Sequence, residues 1–198
     1  MMTQLPGFAD TVHDAQITFR ALLDSLARPG IAQTTASLQA PTGLGVACAA
    51  ACLTLFDLET TVWLQPGLPE EVQSWLIFHT GCRFTNNPQA SDFAVIWQID
   101  TAPALSEFSW GTAEYPEAST SLLIQLPGLH GGDRSTLQGP GILTKLEVDL
   151  PVSAAFWQQW QAMTEDYPLG LDCWCFAANK MLGLPRTARV VTASKADP

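Results

Sequence analysis

The stretch DFAVIWQI, residues 92–99, decides the class of fold that this chain adopts. It is rich in β-branched and aromatic residues and almost continuously apolar, which is typical of a strand covered on both faces. TSLLIQL (120–126) repeats this pattern, and LDCWCFAA (171–178) predicts another central strand. A shorter strand is predicted at Thr61–Leu64. Together these segments indicate a sheet enclosed between two other layers.

Helical patterns flank these strands. Residues 14–27 are predicted to form a helix, because their apolar side chains recur at helical spacing: Ala15, Phe19, Leu22, Leu23 and Leu26. Thr11 and Asp14 are placed like a capping box at its start, and Pro29-Gly30 ends it. Residues 44–56 are apolar on every side, so this segment is predicted to lie buried against the sheet. Alternating helices and buried strands predict an α/β layered sandwich.

Two more helices follow from local chemistry. One begins after Pro69 at Glu70 and runs to about His79, since proline fits the first helical turn and acidic residues favour the positive end of the helix dipole. The other opens at Ser153 and ends before Pro168. Its apolar stripe consists of Phe156, Trp157, Trp160 and Met163.

The segment LQGPGILTKLEV (137–148) poses a choice between a phosphate cradle and a bend. Gly139, Pro140, Gly141 and Ile142 match a type II turn, with proline at its second position and glycine at its third. A cradle needs several inward-pointing N–H groups, and Pro140 has none to offer. The sequence therefore predicts a bend that precedes a strand over 142–148.

Composition narrows the function. Hydrophobic residues make up 47% of the 198 residues and charged residues 14%, which suits one domain with a thick core over residues 1–198. Nine Lys and Arg face nineteen Asp and Glu, for a formal charge of −10. This balance argues against nucleic acid and anionic membranes as partners. With no secretory signal pattern at the N-terminus, we expect a cytoplasmic protein.

The nucleophilic and metal-binding residues form no recognised motif. Cys48 and Cys52 share a helix face, and Cys173 and Cys175 share a strand face, but these spacings depart from zinc knuckles, so we predict no metal.

The lysines, Lys145, Lys180 and Lys195, fall in a polar strand, a turn and a tail, which does not suit a Schiff base. The histidines are His13, His79 and His130. Of these, His79 at a helix end is the candidate acid–base group, with capping or packing as the alternative.

Two arginines stand in apolar contexts. Arg20 lies in TFRALL and Arg186 in GLPRTARV, where an unpaired guanidinium would be costly. We expect an acidic partner for each, either within the protein or on an anionic ligand. The candidate internal partners are Asp57, Glu117 and Asp172.

Eight segments, in this order, resemble the PhnH family, the H subunit of the bacterial carbon–phosphorus lyase machinery. They are DAQITFRALLDSLARPG from residue 14, LTLFDLETTVWL from 53, FHTG from 78, ASDFAV from 90, GTAEYPEASTSLL from 111, LQGPGI from 137, YPLGLD from 167 and LPRT from 184. The resemblance implies a three-layer α/β/α sandwich with a mixed sheet. That sandwich would be similar to the large domain of pyridoxal-phosphate transferases, without the cofactor.

The resemblance also implies a function. Family members form homodimers and join the G, I and J subunits of a complex that couples an alkylphosphonate to the ribose of ATP during phosphonate catabolism. No catalytic residue carries over from the family, so we expect an accessory subunit with no active site of its own. The alternative is that this subunit supplies a substrate-binding or acid–base site, for which Arg20, His79, Glu117 and Arg186 are the candidates. A divergent transferase that still binds pyridoxal phosphate is a third hypothesis.

Overall fold

The computed structural model describes residues 5–191 of the chain. The helices in this range are α1 (His13–Ala27), α2 (Val46–Leu55), α3 (Glu70–Thr80) and α4 (Ala154–Glu165). The strands are β1 (Gln33–Thr34), β2 (Thr61–Leu64), β3 (Arg83–Phe84), β4 (Phe93–Ile96), β5 (Ser121–Gln125), β6 (Ser135–Gln138), β7 (Leu146–Val148), β8 (Asp172–Ala177), β9 (Lys180–Leu184) and β10 (Arg189–Val190). Residues 192–198, TASKADP, which contain the Lys195 assigned above to a tail, lie outside the described residues.

A seven-stranded sheet in the order β1-β9-β8-β5-β4-β2-β3 forms the middle layer. Strands β8, β5, β4, β2 and β3 are parallel, and β9 and β1 complete the sheet in antiparallel pairing. The order of the strands reverses beside β2, because β3 lies on one side of it and the next strand, β4, lies on the other. Such a reversal opens a crevice at the carboxyl ends of the strands.

Two apolar cores flank the sheet. Val62, Val95 and Leu123 face the side covered by α1, α2 and α3. Ala94 and Leu122 face the other side, which α4 covers together with a small antiparallel sheet in the order β10-β6-β7. The prediction of a mixed α/β fold with buried central strands is confirmed, and the second outer layer contains strands as well as a helix.

Helix α2 shows why an all-apolar segment must be internal. Its residues from Ala47 to Cys52 are completely buried, and they include four alanines that let the helix lie close to the sheet. The predicted burial of this segment is confirmed. Removing this much apolar surface from water is a main source of stability in such a layer.

Helix α1 forms where predicted, but its buried face differs from the predicted stripe. Leu22 is buried, whereas Phe19 and Leu23 are exposed. The reason is the close approach of α1 to β9: a side chain at Gly183 would overlap the backbone of Ser25. Small residues such as Ser25 fit that contact, and Phe19 and Leu23 face outwards.

The start of α1 also differs from the prediction. Asp10, rather than Thr11, accepts hydrogen bonds from the backbone N–H groups of Val12 and His13, and Asp14 accepts one from the N–H of Asp10. This reciprocal arrangement works like a capping box that starts one residue earlier than expected. By contrast, Ser153 caps α4 as predicted and accepts a hydrogen bond from Phe156 N at 3.2 Å.

The bend at Gly139-Pro140-Gly141 is confirmed. Ile142 N donates to Gly139 O at 3.1 Å, and Gly141 has a φ of 82°, as the third position of a type II turn requires. A side chain at Gly141 would also overlap the carbonyl oxygen of Ala27. The turn therefore packs against the end of α1. The predicted strand after it shrinks to Leu146–Val148.

Strand β4 is shorter than the predicted 92–99. It ends at Ile96, and a short 3₁₀ turn follows at Ile99–Thr101. The N–H groups of Trp97 and Gln98 donate to the side chain of Gln65 and not to a neighbouring strand. A polar side chain thus replaces the sheet ladder at the carboxyl end of the strand.

Candidate functional site

Arg186 is the centre of a polar cluster at the amino edge of the parallel strands. The parallel register of β5 and β8 places Ser121 beside Asp172, so the loop before β5 meets the start of β8. Arg186 reaches this edge from the turn after β9. Its Nη2 lies 2.7 Å from Asp172 Oδ2, and its Nε lies 3.0 Å from the same oxygen. We call this group of residues the Arg186 cluster.

Protein groups use every nitrogen of this guanidinium. Besides the carboxylate, Nη2 donates to Ser119 Oγ at 2.6 Å, and Nη1 donates to Pro116 O at 2.8 Å and Pro168 O at 3.4 Å. The Arg186 side chain is only 13% exposed. A guanidinium saturated in this way joins three loops and has little capacity left for a ligand.

The other candidates for this charge chemistry lie elsewhere. Asp172 was one of the three carboxylates named as partners, whereas Asp57 and Glu117 are exposed and make no ion pair with another described residue. Arg20 is exposed on α1. The expectation that Arg20 occupies an apolar environment and requires an acidic partner is wrong. Another face of α1, which includes Ala21 and Ser25, is buried, and Arg20 lies on the solvent-exposed face.

His79 holds the N-terminal segment in place. Its Nε2 lies 2.9 Å from Leu5 O, and Trp75 Nε1 donates to the same oxygen at 3.1 Å. Gly7 packs so closely that a Cβ there would lie 3.1 Å from the imidazole ring. The contacts made by His79 are those of a packing residue, which was the alternative to an acid–base role.

The two remaining histidines form exposed pairs with carboxylates. His13 Nδ1 lies 2.8 Å from Asp10 Oδ2, and His130 Nδ1 lies 2.7 Å from Asp149 Oδ1. The hydrogen bond from His130 lowers the pKa of Asp149, and the N–H of Gly131 adds to this effect. Within residues 5–191, the only hydrogen-bond partner of either imidazole ring is its carboxylate, so these pairs are local surface contacts.

The cysteines lie on opposite sides of the sheet. Cys173 and Cys175 belong to the core beneath α4, with their sulfurs 3.8 Å apart, whereas Cys48 and Cys52 belong to the core beneath α1–α3. Burial raises the pKa of the Cys52 and Cys173 thiols well above its ordinary value. The four thiols considered for zinc therefore do not converge, and they behave as small apolar groups.

Other chemistry-bearing groups are dispersed. Within residues 5–191, no three His, Cys, Asp or Glu side chains come together as a metal ion would require. Lys145 and Lys180 are both exposed, which does not suit a Schiff base. In the same part of the chain, no helix has the length and apolarity needed to cross a bilayer.

The carboxyl edge of the sheet carries a cavity of about 600 Å³. Its walls are residues 97–101, which follow β4, residues 125–127, which end β5, and Gly43 in the loop before α2. The cavity lies at the carboxyl ends of β4 and β5, next to the point between β2 and β4 where the strand order reverses, and open α/β sheets bind their ligands at this edge. We call it the switch cavity.

Two glutamines hold the walls of the switch cavity: Gln125 lines it, and Gln65 bonds the backbone of Trp97 and Gln98, which line it. Gln65 is 4% exposed; its Oε1 accepts hydrogen bonds from Trp97 N at 3.0 Å and Gln98 N at 2.9 Å, and its Nε2 donates to Gln98 O at 2.9 Å. Gln125 Nε2 donates to Gly43 O at 3.0 Å, and its Oε1 accepts from Gly45 N. These bonds tie β2 to β4, and β5 to the loop before α2.

Sequence reasoning did not identify this region. The signal was present, because Gln65 directly follows the buried strand TVWL, and Gln98 and Asp100 close the run DFAVIWQID. Polar residues placed immediately after parallel strands gather at one edge of a sheet. Recognising that edge required the strand order, which the pattern of apolar residues did not provide.

The fold and these two polar regions define an α/β protein with a mixed central sheet and a crevice at its switch point. A family model described as bacterial phosphonate metabolism protein (PhnH) matches residues 6–191. The chain belongs to the PhnH family. It is also 37% identical over 189 residues to the alpha-D-ribose 1-methylphosphonate 5-triphosphate synthase subunit PhnH of Rhizobium meliloti (strain 1021), covering 93% of this chain and 94% of that protein.

Proposed function

We propose that this chain is an accessory, non-catalytic subunit of the carbon–phosphorus lyase machinery. In that role it acts with sister subunits to couple an alkylphosphonate to the ribose of ATP, the reaction of ribose 1-methylphosphonate 5-triphosphate synthase. The likeness to the Rhizobium meliloti subunit over nearly the full length of both proteins supports this proposal. The relation to pyridoxal-phosphate transferases, without their cofactor, stays a prediction.

The observation that carries the accessory role is the saturation of Arg186. This arginine was one of the two candidates for binding an anionic ligand, yet its nitrogens are bonded to Asp172, Ser119 and backbone carbonyls. Within the described residues, the histidines bond Asp10, Leu5 O and Asp149, so none of them holds a hydroxyl or thiol nucleophile by a hydrogen bond, which nucleophilic catalysis would need. Both findings favour a protein that works through contact.

Assembly is the second part of the proposal. We propose a cytoplasmic homodimer that joins the G, I and J subunits. Exposed apolar side chains at the start and on the outer face of α1 support an associating protein, because Val12, just before the helix, is 73% exposed, and Phe19 and Leu23 are 46% and 52% exposed. Exposed apolar groups of this kind are common where proteins meet one another.

Co-purification tests this function. A tagged full-length chain isolated from phosphate-starved cells is expected to bring the G, I and J subunits with it, and synthase activity is expected to require its presence in the reconstituted set. Recovery of the homodimer alone would contradict the shared assembly. Turnover of a phosphonate or a nucleotide by the purified chain alone would contradict the accessory role.

The alternative, that this subunit supplies a substrate-binding or acid–base site, is favoured by one observation, the switch cavity. Comparing Arg186→Ala with Arg20→Ala in the reconstituted complex tests whether Arg186 belongs to such a site. If the complex assembles and remains fully active with Arg186→Ala, Arg186 does not belong to a catalytic site. The exposed Arg20 serves as the matched control for loss of a positive charge.

A further inference from the structure

The switch cavity combines a fixed aromatic surface with polar side chains that have no protein partner. Trp97 Nε1 donates to Pro66 O at 3.2 Å, and its ring lies so close to Gly67 that a Cβ there would be 2.9 Å from the indole. The Trp97 ring is therefore held in one orientation at the cavity wall. A rigid indole is a good stacking surface for a flat ligand.

The free polar groups of the cavity are an amide and a carboxylate. Within residues 5–191, the side chains of Gln98 and Asp100 make no hydrogen bond to another residue, although the backbone on either side of them is fixed by Gln65 and by the 3₁₀ turn. Both side chains are exposed to the cavity mouth. A fixed backbone that presents unpaired side chains has the form of a pre-organised binding site.

Charge excludes one large class of ligand. Among the described residues, no Lys, Arg or His lines the switch cavity, and Asp100 contributes a negative charge in a protein of net charge −10. A phosphorylated compound would meet repulsion with no cation to offset it. The cavity therefore does not suit an anionic ligand, whereas its indole, amide and carboxylate suit a flat ligand with several hydrogen-bond donors and acceptors.

We propose that the switch cavity binds an uncharged purine nucleoside, with adenosine as its closest chemical match. Trp97 stacks on the base. The Gln98 amide donates to and accepts from the adenine edge, as a glutamine does when it pairs with N6 and N7 of adenine. Asp100 accepts hydrogen bonds from the ribose hydroxyls, a role that acidic residues take beside nucleosides in other α/β sheets. This proposal narrows the alternative function above, because it assigns the cavity to a nucleoside and not to ATP or an alkylphosphonate, and it does not require membership of the complex.

Calorimetric titration of the full-length chain with adenosine, adenine and ATP tests the proposal. We expect saturable binding of one adenosine per chain with a Kd below about 1 mM. Adenine, which lacks the ribose, is expected to bind more weakly, and ATP at least about tenfold more weakly than adenosine because of charge repulsion. No saturable binding of adenosine at millimolar concentrations, or ATP binding as tightly as adenosine, would overturn the proposal.

Variants then assign the roles. Trp97→Leu is expected to weaken adenosine binding about tenfold or more, as loss of a stacking partner does, and Gln98→Ala and Asp100→Asn are expected to weaken it about three- to tenfold. Gln73→Ala and Asp133→Asn, which remove the same groups from exposed positions elsewhere, serve as matched controls and should bind as the unmodified chain does.

If Trp97→Leu fails to fold, the exposed Gln98 and Asp100 variants decide the matter. Unchanged affinity in both of these variants would overturn the assignment to the switch cavity. Their co-purification with the sister subunits is a separate measurement. A failed nucleoside site and a failed assembly can therefore be told apart.

Discussion

The two ends of the central sheet use polar residues in opposite ways. At the amino edge, the Arg186 cluster pairs a 13% exposed arginine with Asp172 and leaves none of its nitrogens unbonded. At the carboxyl edge, Gln65 is equally saturated, but the neighbouring Gln98 and Asp100 have no partner within the described residues. Polar groups that bond one another stabilise the fold, and polar groups left free beside a cavity are available to a ligand.

The largest expected effect is at the amino edge. Arg186→Ala removes the partner of Asp172 and should lower the free energy of unfolding by about 3 kcal/mol, since breaking a largely buried pair leaves an uncompensated charge. Gln98→Ala at the other edge should change it by less than about 0.5 kcal/mol. Urea denaturation of both variants measures the difference.

The comparison fails if these two variants are equally stable. Arg186→Lys tests whether the charge alone is enough, because lysine keeps the charge but cannot reproduce the set of bonds to Asp172, Ser119 and Pro116. This variant should recover only part of the lost stability.

A smaller loss of stability is expected when Gln65, whose side chain is fully hydrogen-bonded at the carboxyl edge, is replaced. Gln65→Ala leaves the N–H groups of Trp97 and Gln98 without their acceptor and should destabilise the fold by about 2 kcal/mol. It should also weaken adenosine binding, because the wall of the switch cavity loses its support. Gln89→Ala, which removes an exposed glutamine, is the control in denaturation and titration. Full stability in Gln65→Ala would show that the wall does not depend on this side chain.

The smallest effect is expected from an exposed pair with the same contact distance. His130 and Asp149 meet at 2.7 Å, as Arg186 and Asp172 do, but the two side chains are 80% and 37% exposed. Solvent screens such a pair. The His130–Asp149 pair should therefore contribute less to the free energy of unfolding than the Arg186–Asp172 pair or the hydrogen bonds of Gln65. Denaturation of Asp149→Asn at neutral pH measures this contribution.

The acid dependence of this pair has a definite sign. The folded state lowers the pKa of Asp149, first through the hydrogen bond to His130, so its contribution is complete above the unfolded pKa near 3.9 and is lost as the pH falls through the lower folded value. Asp149→Asn should therefore lose less stability than the unmodified chain below about pH 4. Thermal melts between pH 3 and 7 test this, and an identical acid profile would contradict it.

Local sequence patterns identified the individual elements well. The strand Thr61–Leu64 and the bend at Gly139–Gly141 agree with the structure, and α2 is buried as its uniform apolarity requires. Each of these features depends on neighbours within a few residues, such as a proline that fixes φ or a glycine that accepts a positive φ. Periodicity and turn chemistry act over that range.

Strand β7 was predicted in a longer form, but the small sheet that contains it and the antiparallel strands β9 and β1 did not emerge from the pattern of residues. Their strands are short, and their pairing partners lie far along the chain or across a tight turn. The exposed Phe19 also contradicted the apolar stripe of α1, because periodicity shows which residues are apolar but not how closely a helix approaches its neighbour. Close approach at Gly183 settled which side of α1 is buried.

The sequence by itself determined the class of fold, the central strands, the turn chemistry and the family. Only the tertiary structure decided that Arg186 meets Asp172 while Arg20 faces solvent, and that Gln65 supports a cavity beside Gln98. The physical reason is the range of the forces involved. Backbone preferences are set by adjacent residues, whereas the partner of a charged or polar side chain is set by the register and order of strands that are distant in the chain.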